Sequence, residues 1–189
     1  MATPDSQLLA PSLDIPLLWA SISYGLGALP FAVWIGALTG RDPRQRGSKN
    51  PGASNVARTA GVKWGILTLL LDAAKGAAVP SLMLAGVLIS APSEGARLSL
   101  DEWAALSGLS AILGHVTSPL LGFKGGRGVA TTLGAAMALH AGLATLALAI
   151  WLVTLAITRV PAWASLAMSA TLVVMSNASG VEELSLIHI

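Results

Sequence analysis

Long apolar blocks alternate with short polar ones along this chain, and the blocks have the length of membrane crossings. Pro16 to Thr39 is apolar almost throughout, and a helix takes about 20 such residues to cross the hydrocarbon of a bilayer. Trp19 and Trp34 stand near its ends, where amphipathic rings favour the interface, and Gly25, Gly27 and Pro30 lie inside it. Trp64 to about Ile89 and Trp103 to about Leu121 form a second and a third span. Val129 to Thr158 is apolar for roughly 30 residues, more than one crossing needs. His140-Ala141-Gly142 near its middle and Arg159 at its end point to two short helices rather than one tilted helix. Another span begins at Ala162 and runs to about Ser176. The blocks predict an all-α, polytopic integral membrane helix bundle of about five to six spans, in a single domain over residues 1–180.

Composition strengthens that picture. The chain is 54% hydrophobic and 11% charged, against roughly 45–50% and 25% for an average soluble domain. There is no cysteine, which excludes disulfides, a thiolate nucleophile and a cysteine-ligated metal. The net charge is only +2, so the placement of the cations carries the information. The loop from Gly40 to Lys63 holds Arg41, Arg44, Arg46, Lys49, Arg58 and Lys63 against Asp42 alone, which assigns it to the cytoplasm. Ser90 to Glu102 holds Glu94, Asp101 and Glu102 against Arg97 and belongs outside. A second basic loop, with Lys124 and Arg127, returns to the side of the first. The first fourteen residues have no positive segment or small-residue cleavage site, so the first span is expected to stay in the mature protein.

Both basic loops have the inventory of an anion site. GSKNPGASN, Gly47 to Asn55, combines glycines that admit close backbone approach with hydroxyls, amides and Lys49, and Arg58 follows on the same stretch. GFKGGRGVATT sets Lys124 and Arg127 among glycines immediately before a helix start, whose free N–H groups attract phosphate. It lacks the Gly-Lys-Ser/Thr ending of a Walker A loop. Either loop alone also reads as a turn that only sets topology; two on one membrane face can hold the two reactants of a group transfer. Paired carboxylates, a Ser/His/Asp arrangement and a metal-ligand cluster find no support in the sequence. Asp72 and Lys75 share a face of the second span and either tie helices together or aim at the site. His140 reads as a packed or interfacial residue rather than a catalyst.

These residues carry a resemblance. GSKNPGASNVARTAG resembles the first motif, GSGNxGATNVxRxxG, of the acyl-phosphate:glycerol-3-phosphate acyltransferases, the PlsY family, and LLLDAAKG resembles the LxDxxKG that follows it. GHVTSPLLGFKGGRGVATTLG resembles that family's second motif, GHxxPxxxxFKGGKGVAT. The resemblance covers most of the chain, in the right order. It implies transfer of a fatty acyl group from acyl phosphate to the 1-position of glycerol 3-phosphate, giving lysophosphatidic acid in the bacterial inner membrane with the site facing the cytoplasm. It implies no metal, no cofactor, no acyl carrier protein or acyl-CoA, and no nucleic acid; the partners are glycerol 3-phosphate, acyl phosphate and the lipid bilayer.

Carried over residue by residue, the resemblance implies catalytic roles for Ser48, Arg58 and His115, with Ser48 orienting the attacking hydroxyl. It implies phosphate or substrate binding by Lys49, Asn50, Gly52, Asn55, Lys124, Gly125, Gly126, Arg127, Gly128 and Thr131. Lys49 stands where the family usually has glycine, Arg127 where it has lysine, and Ser54 where it has threonine. The family's third motif, RHxxNxxRLxxGxE, has no counterpart here. The closing LSLIHI, residues 184–189, reads as a translated library adapter, so His188 carries no role. The expectation is a member incomplete at its C-terminus and inactive, whose active parent has seven spans. An inner-membrane anion transporter or channel is the alternative reading, although no internal repeat supports it. An acyltransferase of the His-x4-Asp type fails at Leu120.

Overall fold

Each membrane-length block becomes helical, and each break has a local cause. In a computed structural model, which describes residues 14–88 and 98–179, the first block forms two helices, α1 (Asp14–Gly27) and α2 (Phe31–Leu38). The expected single span over Pro16 to Thr39 is thus interrupted at its centre, because Pro30 has no N–H to continue the ladder. A short amphipathic helix, α3 (Ala53–Ala60), lies in the first basic loop, and Gly61 at φ +112° turns the chain into α4 (Val62–Leu84). Helix α5 (Leu100–Val116) opens on a capping box, in which Ser99 Oγ accepts from Glu102 N–H and Glu102 accepts from Ser99 N–H. It stops before Ser118-Pro119, which starts a single 3₁₀ turn.

The fourth block divides at His140, whose extended backbone ends α6 (Val129–Leu139) and caps α7 (Ala141–Thr158). Helix α8 (Pro161–Ser179) follows, with Arg159 at φ +56° making the corner. Among the described residues, four stretches are long and apolar enough to cross a membrane: Leu17–Leu38, Val62–Leu84, Leu100–Leu121 and Ala141–Thr158. Helix α6, with 11 residues, rises only about 16 Å and does not reach across. Glu94, Arg97 and the tail from Gly180 onward, including the supposed adapter residues, lie outside the described residues.

Small residues let the helices approach closely where apolar side chains alone would face lipid on every side. A methyl group on Gly27 would strike the Ala111 carbonyl, and one on Gly114 would strike that of Tyr24, so α1 and α5 meet backbone to backbone. Gly76 and Gly134 do the same for α4 and α6 against the carbonyls of Thr131 and Ala73. Fully buried alanines fill the rest, including Ala104, Ala105, Ala111, Ala135 and Ala136. The larger apolar side chains of α1, α4, α7 and α8, such as Leu18, Leu70, Val153, Ile157 and Leu166, point outward, as a lipid-facing surface requires. The start of α4, the start of α6, the end of α7 and the start of α8 meet at one end of the bundle, together with both basic loops.

Candidate active site

Asn55 organises the first basic loop from inside. It is 1% exposed; its amide nitrogen lies 2.7 Å from the Pro43 carbonyl and 3.0 Å from those of Arg46 and Asn50, while its oxygen accepts from Ser48 N–H at 3.0 Å. Expected as a substrate ligand, Asn55 has both ends of its amide engaged within the loop instead. The bonds curl residues 43–50 around it and hold Ser48 and Asn50 beside the start of α3. Arg41 donates to the Thr59 carbonyl near the end of that helix. Arg44 is committed to Asp42 at 2.7 Å, and its hydrogen bonds hold the Asp42 carboxyl below the usual carboxylate range. Lys49 sits at φ +58°, a conformation natural to glycine, which explains the residue usual at this position in the resembling family.

The second loop owes its glycines partly to packing. Gly125 donates to the Val116 carbonyl and Gly126 to that of His115. A Cβ on Gly125 would fall on the His115 carbonyl, and one on Gly126 on the His115 imidazole. Gly125 and Gly126, expected as phosphate ligands, therefore dock the loop against the end of α5. Gly128, at φ +78°, starts α6 without a side-chain cap, as Gly52 starts α3. Both helix starts thus turn uncapped N–H groups and a positive dipole end toward the same space.

The third component is buried in the bundle. Lys75 Nζ lies 2.8 Å from Asp72 Oδ1 and donates to the Leu29 carbonyl at 2.9 Å, and Ser118 Oγ donates to the Ala28 carbonyl at 2.7 Å. These donors satisfy carbonyls released where Pro30 breaks the first span, as a break at membrane depth demands. His115 Nδ1 stands 3.7 Å from the Asp72 oxygen, beyond hydrogen-bond length. Both sequence readings of the pair hold in part: Lys75 ties helices together, and Asp72 reaches the site.

A cavity of about 470 Å³ joins these components. Its polar side is made by Ser48, Asn50, Ser54, Arg58, Arg127, Asp72 and His115, with Gly52 and Gly128 at the two helix starts. Val62, Ile66 and Leu69 of α4 face Trp151 and Leu155 of α7 across its apolar side, and Val160, Pro161, Ala162 and Ser165 close it. The expected residues Ser48, Asn50, Gly52, Arg58, His115, Arg127 and Gly128 are therefore brought together. Lys49, Asn55, Lys124, Gly125, Gly126 and Thr131 do not line this cavity. Lys49 and Lys124 are exposed beyond it, and Thr131 is fully buried against Gly76. The wall from α7 and α8 escaped the sequence reading, since its residues sit in apolar blocks without polar punctuation; the break at His140 was the available signal.

Arg58 and Arg127 beside an apolar slot suit a phosphate compound with a hydrocarbon part nearby. A family model for glycerol-3-phosphate acyltransferase matches residues 17–188. The chain belongs to the glycerol-3-phosphate acyltransferase family. A glycerol-3-phosphate acyltransferase of Bordetella petrii is 44% identical over 158 residues, 83% of this chain and 70% of the relative. One of Synechococcus sp. is 40% identical over 151 residues, 79% and 68% of the two chains. The crystal structure of PlsY (YgiH), an integral membrane glycerol 3-phosphate acyltransferase, in its glycerol 3-phosphate form superposes with a TM-score of 0.77 at 29% identity, covering 91% of this chain and 86% of that one. Its lysophosphatidic acid form gives 0.76 at 29% identity, covering 91% and 85%. Like these glycerol-3-phosphate acyltransferases, the chain is a multi-pass membrane protein.

Proposed function

We propose that the cavity transfers an acyl group from acyl phosphate to the 1-position of glycerol 3-phosphate, releasing lysophosphatidic acid and inorganic phosphate. Acylation of glycerol 3-phosphate rests on the family; acyl phosphate as donor is the finer reading. The observation that carries it is the convergence of Arg58, Arg127 and two helix N-termini on one cavity with an apolar side. Two phosphate groups and one acyl chain match that division. Ser48 orients the glycerol hydroxyl toward the acyl carbonyl, and Arg58 and Arg127 offset charge on the reactants and on the developing oxyanion. The bond from carbonyl carbon to phosphate oxygen breaks as the new ester forms, and the departing phosphate takes up the hydroxyl proton. His115, beside Asp72, hydrogen-bonds the reacting groups from the floor of the polar side. The excess of cations at this end supports a site on the cytoplasmic face of a bacterial inner membrane.

The test is acyl transfer from palmitoyl phosphate to labelled glycerol 3-phosphate in nanodiscs. It uses the 189-residue chain and a form extended with the C-terminal segment of the Bordetella petrii relative, which tests the need for a third motif. Transfer by the extended form, lost in Ser48→Ala and Arg58→Gln with membrane insertion retained, is expected. Transfer from acyl-CoA but not from acyl phosphate would overturn the donor, and wild-type rates in both variants would overturn the site.

A further inference from the structure

The apolar side of the cavity ends on one large ring. Trp151 belongs both to the cavity wall and to the cluster packed around Ala136, Ala144, Ala147, Met168 and Leu172. It therefore forms a partition, with the cavity above it and fully buried alanines below. It stands seven positions before Thr158 at the loop-side end of α7, which sets the ring about 10 Å down the bundle. Its indole N–H donates to Ser165 Oγ at 3.4 Å, and Ser165 Oγ in turn donates to the Pro161 carbonyl at 2.8 Å. Ser165 lines the same cavity, so one α8 hydroxyl, anchored to its own helix, fixes the ring across α7.

We propose that Trp151, positioned by Ser165, is the floor that sets how long an acyl chain the cavity accepts. The proposal rests on the reading that the apolar side holds the acyl chain, and it adds the residue that limits it. With its phosphate end held near Arg58 and Arg127, a chain runs between α4 and α7 until its distal methylenes meet the indole. A longer chain must bend or displace the ring. The small alanines beneath Trp151 leave room for such a chain once the ring is truncated, whereas phenylalanine preserves most of the floor.

The test measures binding of lysophosphatidic acids to the 189-residue chain in detergent. Myristoyl, palmitoyl and stearoyl forms are compared, together with forms brominated at mid-chain or near the terminal methyl. The quenching assigned to Trp151 is the difference between wild type and Trp151→Phe. Bromine near the methyl end is expected to quench Trp151 more strongly than bromine at mid-chain. Trp151→Ala is expected to raise the affinity ratio of stearoyl to myristoyl product by roughly tenfold, the scale of a methylene gained in a pocket. Ser165→Ala is expected to move that ratio in the same direction by less, and Trp151→Phe to leave it nearly unchanged. Binding without position-dependent quenching, or with an unaltered ratio in Trp151→Ala, overturns the floor and leaves the proposed reaction standing. If Trp151→Ala does not fold, the quenching pattern of the wild-type chain decides. Absence of any binding overturns the floor, while the transfer assay on the extended form decides the proposed reaction.

Discussion

Asn55 offers the sharpest test of how the first loop is built. Its amide nitrogen faces three carbonyls and its oxygen faces one N–H, so Asn55→Asp and Asn55→Ala act differently on the same shell. In Asn55→Ala two N–H donors are lost, each worth about 1 kcal/mol net. The resulting 2 kcal/mol raises the population of the opened loop about 30-fold. Asn55→Asp keeps the volume and the oxygen that accepts from Ser48, yet it turns a carboxylate oxygen toward the carbonyls of Pro43, Arg46 and Asn50. The near-isosteric change is therefore expected to be at least as disruptive as alanine. Arg44, Arg46 and Lys49 are exposed on this loop and provide tryptic sites. Cleavage between residues 44 and 49 under conditions where opening is fast reports the open population directly. The expected order of rates is Asn55→Asp at or above Asn55→Ala, both tens of times above wild type. Wild-type cleavage in Asn55→Asp would refute the inward-facing amide and return Asn55 to the role of substrate ligand.

Two further outcomes follow from buried or strained positions. Lys49→Gly should raise thermal stability by about 1 kcal/mol, the cost of a side chain at positive φ, whereas Lys49→Ala, which keeps a Cβ and loses the charge, should change it little. Equal stabilisation by both in a thermal unfolding series would assign the effect to charge. Lys75→Met should destabilise by about 3–5 kcal/mol, since it strands a buried carboxylate. Adding Asp72→Leu should recover much of that loss, less the donor to Leu29, in a double-mutant cycle read by unfolding in detergent; additive losses would refute the ion pair as the source.

Much of the architecture was legible because it obeys a one-dimensional rule. A bilayer core forces backbone polar groups into helices of set length, so the apolar blocks announce the helices. Ser99 and Glu102 start α5 through a capping box inside the stretch read as an outer loop. Prolines and cations were less complete guides: Pro30 sits visibly inside the first block, but its cost depends on whether a donor waits nearby. Lys75 and Ser118 supply that donor from 46 and 90 residues away.

The chain by itself determined the helical membrane class, the two cationic loops and their placement on one side, because composition and charge act at the scale of single segments. The tertiary structure decided which of those loop residues face the cavity. Arg58, Arg127, Ser48 and His115 do, while Asn55, Gly125 and Gly126 spend their polar groups or their lack of a side chain on building the walls. It also decided that α7 and α8 close the cavity, with Trp151 and Ser165 in its lining. The physical reason is that a motif records residue types along a line, whereas a hydrogen bond or a close contact depends on where distant segments end in space. Asn55 and Ser48 are seven residues apart in the same motif, and only folding shows that one holds the other in place.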